Sequence, residues 1–360
     1  MLNPEICSDI TQWMDQSGLL AILLSDQPEA WQDVWSNLVS QPVLYAASMI
    51  DYQHAYMRSS GQRIADISMV LLNDGKPCAI WPLTLTLGDP IKLTSLDTPI
   101  LPPLFITKQS PRTIKKITAS ALRFVVNVQK ALSQEVVESQ EYITPHAICG
   151  GLSEWHQQWM SIGATVNVKH DLYVDLTLSM DEIRSGFRKS FRPLISAGRK
   201  VWKAEVMDNT CADIATWTEC KLLHRQVAGR TTRNDETWNL QFEMILRGEA
   251  MLITLRDTES QNRLIGAGFF QFSRDEGLYA IAAYDRELFD KPIGHVVHQL
   301  AIETMKQHGL RWYRIGERQF QSDIPKPTEK ELSISLYKQG FASYISPRFV
   351  FSLANVAVAI

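Results

Sequence analysis

Three stretches of the chain have residue types and spacing suited to chemistry. The first is the basic run GFRKSFRPLISAGRK (186–200). Arg184, Arg188 and Arg192 recur every four residues, a spacing that puts them on one face of a helix, with Lys189, Arg199 and Lys200 nearby. Guanidinium groups bind phosphate oxygens in pairs, so the stripe suits the phosphates of a nucleotide-sugar or of RNA. A solvated helix face paired to acids elsewhere has the same pattern. The second stretch is DRELFDKPIGHVVHQL (285–300), where Lys291, Pro292, Gly294 and His295 stand at the start of a helix. A helix N-terminus presents free N–H groups and partial positive charge, the ingredients of an anion site. A capped turn pre-set by Pro292 is the plainer reading. His295 and His298 are three apart, but no third ligand has metal-site spacing, so no metal is expected. The third is HRQVAGRTTRND (224–235), in which Arg230 and Arg233 flank two threonines in a loop able to cover a substrate or merely to cap helix ends.

The elements that must position these residues follow from pattern. In the second half, DLYVDLTL (171–178) reads as a strand, followed by a helical stretch capped at Ser179 or Asp181. Pro193 inside that stretch kinks a helix or starts a second one. Helices are expected over 210–227 and 235–247, the latter after an Asn234/Asp235 cap. Strands follow at 250–256, 263–272 and 278–284, then a helix from Ile293 to His308, a strand at 311–316, a helix at 328–340 and two closing strands within 341–357. In the first half, helices are expected at 31–39, 52–61, 111–132 and 153–163. A hairpin at 67–87 turns through Asn73, Asp74, Gly75 and Lys76. That hairpin and the one at 250–272 form a faint internal echo, as two copies of one domain would. Strands mixed with helices in this order give an α+β fold with mixed, twisted sheets flanked by helices.

Length and composition set the outer limits. The chain has 360 residues, which favours two domains, expected at 1–169 and 170–360. A net charge of −3 argues against coating DNA or an anionic surface by bulk charge, so no DNA partner is expected. The five cysteines, Cys7, Cys78, Cys149, Cys211 and Cys220, form no Cys-x-x-Cys pair, as suits a reducing compartment rather than a disulfide framework or zinc site. The tail FVFSLANVAVAI (349–360) is shorter than the roughly 20 residues of a membrane span and reads as a buried strand. The N-terminus lacks the basic region of a signal peptide, and a cytoplasmic protein without transmembrane segment is expected. No Gly-x-Ser-x-Gly elbow, phosphate loop or dinucleotide fingerprint is present.

The order of elements in the second half resembles the N-acetyltransferases of the GNAT superfamily. Four segments resemble the Fem (FemABX) aminoacyltransferases, which are built from two GNAT-like domains: residues 175–200, 250–309, RWYRIGE (311–317) and ELSISLYKQGF (331–341). Arg192 and Ile195 match a basic-helix motif of that family, with Leu194 replacing its Asn, and Tyr337-Lys338 with Gly340-Phe341 match its late motif. The AGRTTR and FDKPIGH segments resemble FemAB-like acyltransferases associated with bacterial surface polysaccharides. The resemblance implies two GNAT-like domains, the first degenerate and on the acceptor side. It also implies acyl transfer to an amine of a cell-envelope sugar, small or lipid-linked, or of its nucleotide precursor. No permanently bound cofactor is implied; acyl-CoA would be the co-substrate. At the phosphate-holding helix Lys291 and Gly294 are kept, while Val296 replaces a small residue. Lys338 would stabilise developing negative charge, and Glu317 or Asp285 would accept the amine proton. Lys291, Gly294 and His295 would hold the cofactor, and Arg188, Arg192, Arg230, Arg233 and Tyr284 the substrate. Two alternatives accompany this reading: a Fem-type enzyme using aminoacyl-tRNA and contacting the acceptor end, and an inactive GNAT pair acting as a binding module.

Overall fold

The computed structural model describes residues 4–144, 151–288 and 291–355. Cys149, Gly150 and the last residues of the apolar tail, 356–360, lie outside them, and the side chain of Cys7 is likewise not described. The chain divides into two compact units, one of residues up to Val168 together with those from Pro347 onward, the other Lys169–Ser346. The second expected domain, 170–360, is thus corrected at its end: the segment after Pro347 packs with the first unit.

The first unit begins with α1 (Pro4–Ser17), β1 (Ala21–Leu23), α2 (Pro28–Ser36) and α3 (Ala47–Ser59). Next come β2 (Ile64–Asp66), β3 (Met69–Asn73), β4 (Lys76–Trp81), β5 (Thr84–Thr86), β6 (Lys92–Thr94) and β7 (Leu104–Phe105). The unit continues with α4 (Pro111–Ala131), β8 (Val136–Tyr142) and α5 (Glu154–Ser161). The hairpin between β3 and β4 turns on Asp74 and Gly75, both at positive φ, +50° and +76°. That geometry matches the right-handed twist of the strands, which is why Asp-Gly is legible as a turn. β1, β3, β4 and β7 form one sheet and β2, β5 and β6 another. Helix α4 buries Ile117, Ala121, Phe124, Val125 and Val128 against them, a spacing of three and four residues that makes one apolar stripe.

Then β9 (Thr165–Asp175) runs without a break through His170, so the strand expected at 171–178 begins earlier, and it enters the second unit. Its remaining elements are α6 (Met180–Gly186), α7 (Phe191–Val201), β10 (Lys203–Met207), α8 (Ile214–Ala228), α9 (Asp235–Leu246), β11 (Ala250–Asp257), β12 (Arg263–Phe272), β13 (Glu276–Tyr284), α10 (Ile293–Gln307), β14 (Trp312–Arg318) and α11 (Glu329–Gln339). A single strand, β15 (Tyr344–Ala354), closes the chain in place of the two expected, and its 348–354 portion pairs antiparallel with β8. In the second unit the sheet runs β10-β11-β12-β13-β14-β9. All its pairs are antiparallel except β13 with β14, which the α10 crossover makes parallel.

Caps fix where these helices begin. Ser179 and Glu182 form a capping box on α6, and Thr328 and Glu331 another on α11. Asn234 accepts from the Thr237 N–H at the start of α9. One face of the sheet carries α7 and α10 over Met251, Ile253, Phe270 and Tyr313. On the other, Trp217 of α8 packs on Phe269, at 5.5 Å between ring centroids.

Candidate functional site

The parallel pair is where the sheet opens. β13 and β14 register only from Glu276–Trp312 to Leu278–Arg314, yet the strands continue to Tyr284 and Arg318. Both carry an irregularity where they part. On β13, Ile281 opposes Phe269 and Tyr279 opposes Phe270, so Ala280 has no opposite residue. On β14, Arg314 opposes Tyr173 and Gly316 opposes Leu172, so Ile315 has none. Each extra residue bends its strand and raises the local twist, which splays the pair into a cleft.

Lys338, in the last turn of α11, reaches this cleft over Gly316. A Cβ at Gly316 would lie 2.7 Å from the Lys338 Nζ and 3.2 Å from its Cδ, so the lysine passes only because the strand has no side chain there. The Nζ stands 5.1 Å from the centre of the Tyr279 ring. Burial lowers the pKa of Lys338, because desolvation penalises the ammonium. Four phenols surround the region, those of Tyr279, Tyr284, Tyr313 and Tyr337. Burial raises Tyr279 to about 12 and the other three well above their ordinary value, so all are O–H donors at neutral pH. The Tyr279 and Tyr284 hydroxyls are 3.3 Å apart.

His298 of α10 lies beneath them, 1% exposed, its Nδ1 2.8 Å from the Tyr313 hydroxyl. Burial first, then the charge of Lys338, then His295, lower its pKa to about 3, so the imidazole is neutral. Two buried polar atoms here have no protein partner: the His298 Nε2 and the Tyr337 hydroxyl. Buried polar groups are nearly always satisfied, so these two stand out as open hydrogen-bonding positions beside Lys338. Gly294 permits the close approach of α10 to α11, since a Cβ there would meet the Tyr337 hydroxyl at 2.7 Å.

The structure brings together Lys338, Tyr284, Gly294 and the neighbourhood of Glu317, but separates or commits other expected residues. Glu317 follows Gly316 on β14 and opposes Asp171 of β9. Asp285 is buried and already engaged: Arg263 Nη1 donates to its Oδ2 at 2.7 Å and the Glu287 N–H to its Oδ1 at 3.1 Å. As a free base it is therefore corrected; it ties the end of β13 to β12. The His295 side chain is packed among aromatic rings. Its ring sits 4.5 Å from Phe191 and 5.0 Å from Tyr337, and burial followed by the Arg188 charge lowers its pKa to about 4. Lys291 is exposed just before α10.

The basic stripe is corrected too. Arg184 belongs to α6 and Arg192 to α7, and the chain breaks between them at Phe187, whose backbone is extended. Arg184 and Arg199 share Glu303, at 2.6 and 2.9 Å. Arg188 donates to the Leu336 carbonyl at 2.7 Å and lies over the Phe191 ring, pinning α11 to the start of α7. Arg192 is exposed on α7. Arg233 and the exposed Arg230 follow α8, as expected. Arg233 lies over Trp238 and donates to Gln241 at 3.3 Å. It helps line a cavity of about 310 Å³ with Lys221, His224, Arg225 and Thr232.

Sequence reasoning missed Tyr279, Tyr313, Gly316 and the role of His298. Tyr337 and Lys338 were visible as neighbours in one motif. The His298–Tyr313 contact joins a helix to the strand after it and has no local signature.

The fold is that of tandem GNAT proteins, with two α+β units. FemX aligns over 92% of this chain and 96% of its own, with a TM-score of 0.63 at 11% identity. The C-terminal domain of a putative lysylphosphatidylglycerol synthetase from Agrobacterium fabrum aligns over 92% of this chain and 93% of its own, with a TM-score of 0.55 at 11% identity. A tandem GNAT protein from the clavulanic acid biosynthesis pathway aligns over 93% and 98%, at 0.51 and 13% identity. No family profile and no curated protein matches the chain. Among the described residues no group of His, Cys, Asp and Glu has the geometry of a metal site, and no helix is long and apolar enough to cross a membrane.

Proposed function

We propose that the protein is an amide-forming acyltransferase whose reacting atoms meet at the cleft between β13 and β14. The observation that carries this reading is Lys338, a desolvated lysine threaded over Gly316 into that cleft, in a molecule that shares the FemX fold. Amide formation begins when an amine attacks an activated carbonyl, placing negative charge on its oxygen. A cationic Lys338 and the Tyr337 O–H are fixed donors for that charge, in a site where water competes weakly. The new C–N bond forms, the bond to the leaving group breaks, and the amine proton passes to the leaving group. Glu317, one residue beyond Gly316, would take that proton first, directly or through water, and return it to the leaving group.

The first donor is acyl-CoA, with Lys291 and the first turn of α10 toward its phosphates. The second is aminoacyl-tRNA, which the FemX likeness favours. It is favoured as well by the packing of His295 against Phe191 and Tyr337, which fills part of the α10 N-terminus. The acceptor is the amine of a cell-envelope sugar, free, lipid-linked or as its nucleotide precursor. Its anionic part suits the basic pocket of Arg225 and Arg233, with Arg230 at its edge.

The test is turnover with two donor panels, acyl-CoAs and aminoacyl-tRNAs, each against amino-sugars and their nucleotide forms. Acceptor-dependent product is expected with one panel. Lys338→Met is expected to reduce kcat about 100- to 1,000-fold without changing Tm. Full turnover in a folded Lys338→Met protein would remove Lys338 from the mechanism, and ligand binding without turnover on both panels would point to the non-catalytic module.

A further inference from the structure

We propose that α7 is a membrane-contact helix that seats the protein on an anionic phospholipid surface. This goes beyond acyl transfer and does not depend on it. Residues 187–203 contain six cations, Arg188, Lys189, Arg192, Arg199, Lys200 and Lys203, and no carboxylate, in a chain whose net charge is −3. Three of the other four helices with exposed aliphatic or methionine side chains, α5, α9 and α11, carry acids in their first turn. On α7, Phe191, Ile195 and Gly198 face the core beside α10, where a Cβ at Gly198 would lie 2.6 Å from Val296.

The rest of the helix divides into two flanks. At 100° per residue, Pro193, Leu194, Ala197 and Val201 fall along one side, and Arg192, Ser196, Arg199 and Lys200 along the other. Leu194 is 36% exposed and Val201 56% exposed. Arg199 shares the Glu303 carboxylate with Arg184. Lys189, Arg192 and Lys200 are exposed and make no ion pair among the described residues. Arg188 ties this helix to α11, where Leu336 is also exposed.

Exposed aliphatic side chains next to unneutralised cations are what a helix lying in the headgroup region presents. The aliphatic flank enters the acyl boundary, and the cations meet anionic headgroups within a Debye length. A nucleic acid backbone would use the cations but gain nothing from Leu194 and Val201. Charge complementarity and the aliphatic flank together therefore select a bilayer.

Co-sedimentation with vesicles of phosphatidylcholine alone, or with added phosphatidylglycerol, tests this without any turnover. The wild type is expected to bind the anionic vesicles, and less so at high salt. Leu194→Asp/Val201→Asp is expected to lose at least about tenfold in binding, and Lys189→Glu/Lys200→Glu a similar amount. Both variants alter surface positions, and an unchanged Tm verifies their folds. Equal binding to both vesicle types, or none, overturns the proposal. So does full vesicle binding by Leu194→Asp/Val201→Asp. Dependence on the cations alone, with displacement of the protein from vesicles by tRNA, would identify a nucleic-acid surface instead. Loss of acyl transfer with vesicle binding intact would sink the enzyme reading and leave this one standing.

Discussion

Lys338 owes its position to a residue without a side chain. A methyl group at position 316 would stand 2.7 Å from the Nζ, and Gly316 also adopts a φ of +145°, which L-residues rarely take. Gly316→Ala should therefore both strain β14 and push the lysine off its path. Turnover is expected to fall at least about tenfold, because small misplacement of a catalytic group is costly, and Tm should fall as well. Lys338→Met changes turnover alone, so measuring both variants separates positioning from charge. Undiminished kcat in Gly316→Ala would mean that the lysine does not need its observed path. The protonation states set the pH dependence. His298, held near pKa 3, does not titrate between pH 5 and 8 and gives the rate profile no inflection there. Lys338 has a lowered pKa, so a step requiring its ammonium is lost as pH rises through that lowered value, earlier than for an exposed lysine. At this scale the sequence disclosed Lys338 through the local pattern Tyr337-Lys338 with Gly340-Phe341. It did not disclose the Gly316 passage or the engagement of Asp285 by Arg263, because both are contacts between residues distant along the chain.

Elements with strong internal pattern were legible, and those defined by neighbours were not. The strands at 250–256 and 263–272 carry continuous apolar runs because helices cover both faces, and they appear as β11 and β12. Strand β10, KAEVM, is mostly exposed at a sheet edge and has no such run, so it went unseen. The Arg184, Arg188, Arg192 spacing misled because it assumed one helix, whereas Phe187 breaks the chain and Pro193 sits in the first turn of a second. The packing of α10 on β12 gives an element-scale prediction. Gly268 lies under Val297, and an added Cβ would come within 2.7 Å of a Val297 methyl and 3.0 Å of the Phe270 ring. Neither neighbour has room to yield in a close-packed core. Gly268→Ala should cost about 1–3 kcal/mol of stability, read from denaturant unfolding. A change within a few tenths would show that α10 can lift from the sheet, and with it His298 and Gly294.

For the whole molecule, length alone implied two domains, but not that the chain returns to the first unit after Pro347. That return is set by pairing of β15 with β8, a register between segments some two hundred residues apart. The distribution of buried histidines over both units then predicts how stability depends on pH. Five of the eight histidines, His54, His156, His224, His295 and His298, have lowered pKa values, and desolvation is the first cause in each. In the unfolded chain each takes a proton near pH 6.5, while the native state resists until lower pH. Between those values the unfolded state binds more protons, so stability is lost as pH falls below about 6.5. The carboxylates with lowered pKa values, Glu182, Asp208, Asp213, Asp257 and Glu331 at turns and caps, act in the same direction at lower pH. Glu141, raised by burial, opposes them, since its native state takes up a proton first. His54 and His156 lie in the first unit and the other three in the second. Acid should therefore weaken both units rather than one. Calorimetry is expected to show Tm at pH 5 at least about 5 °C below that at pH 7.5, with any separate transitions both moving down. A Tm unchanged across that range would mean that these imidazoles reach water in the native state, and the neutral His298 beneath the cleft would have to be abandoned with them.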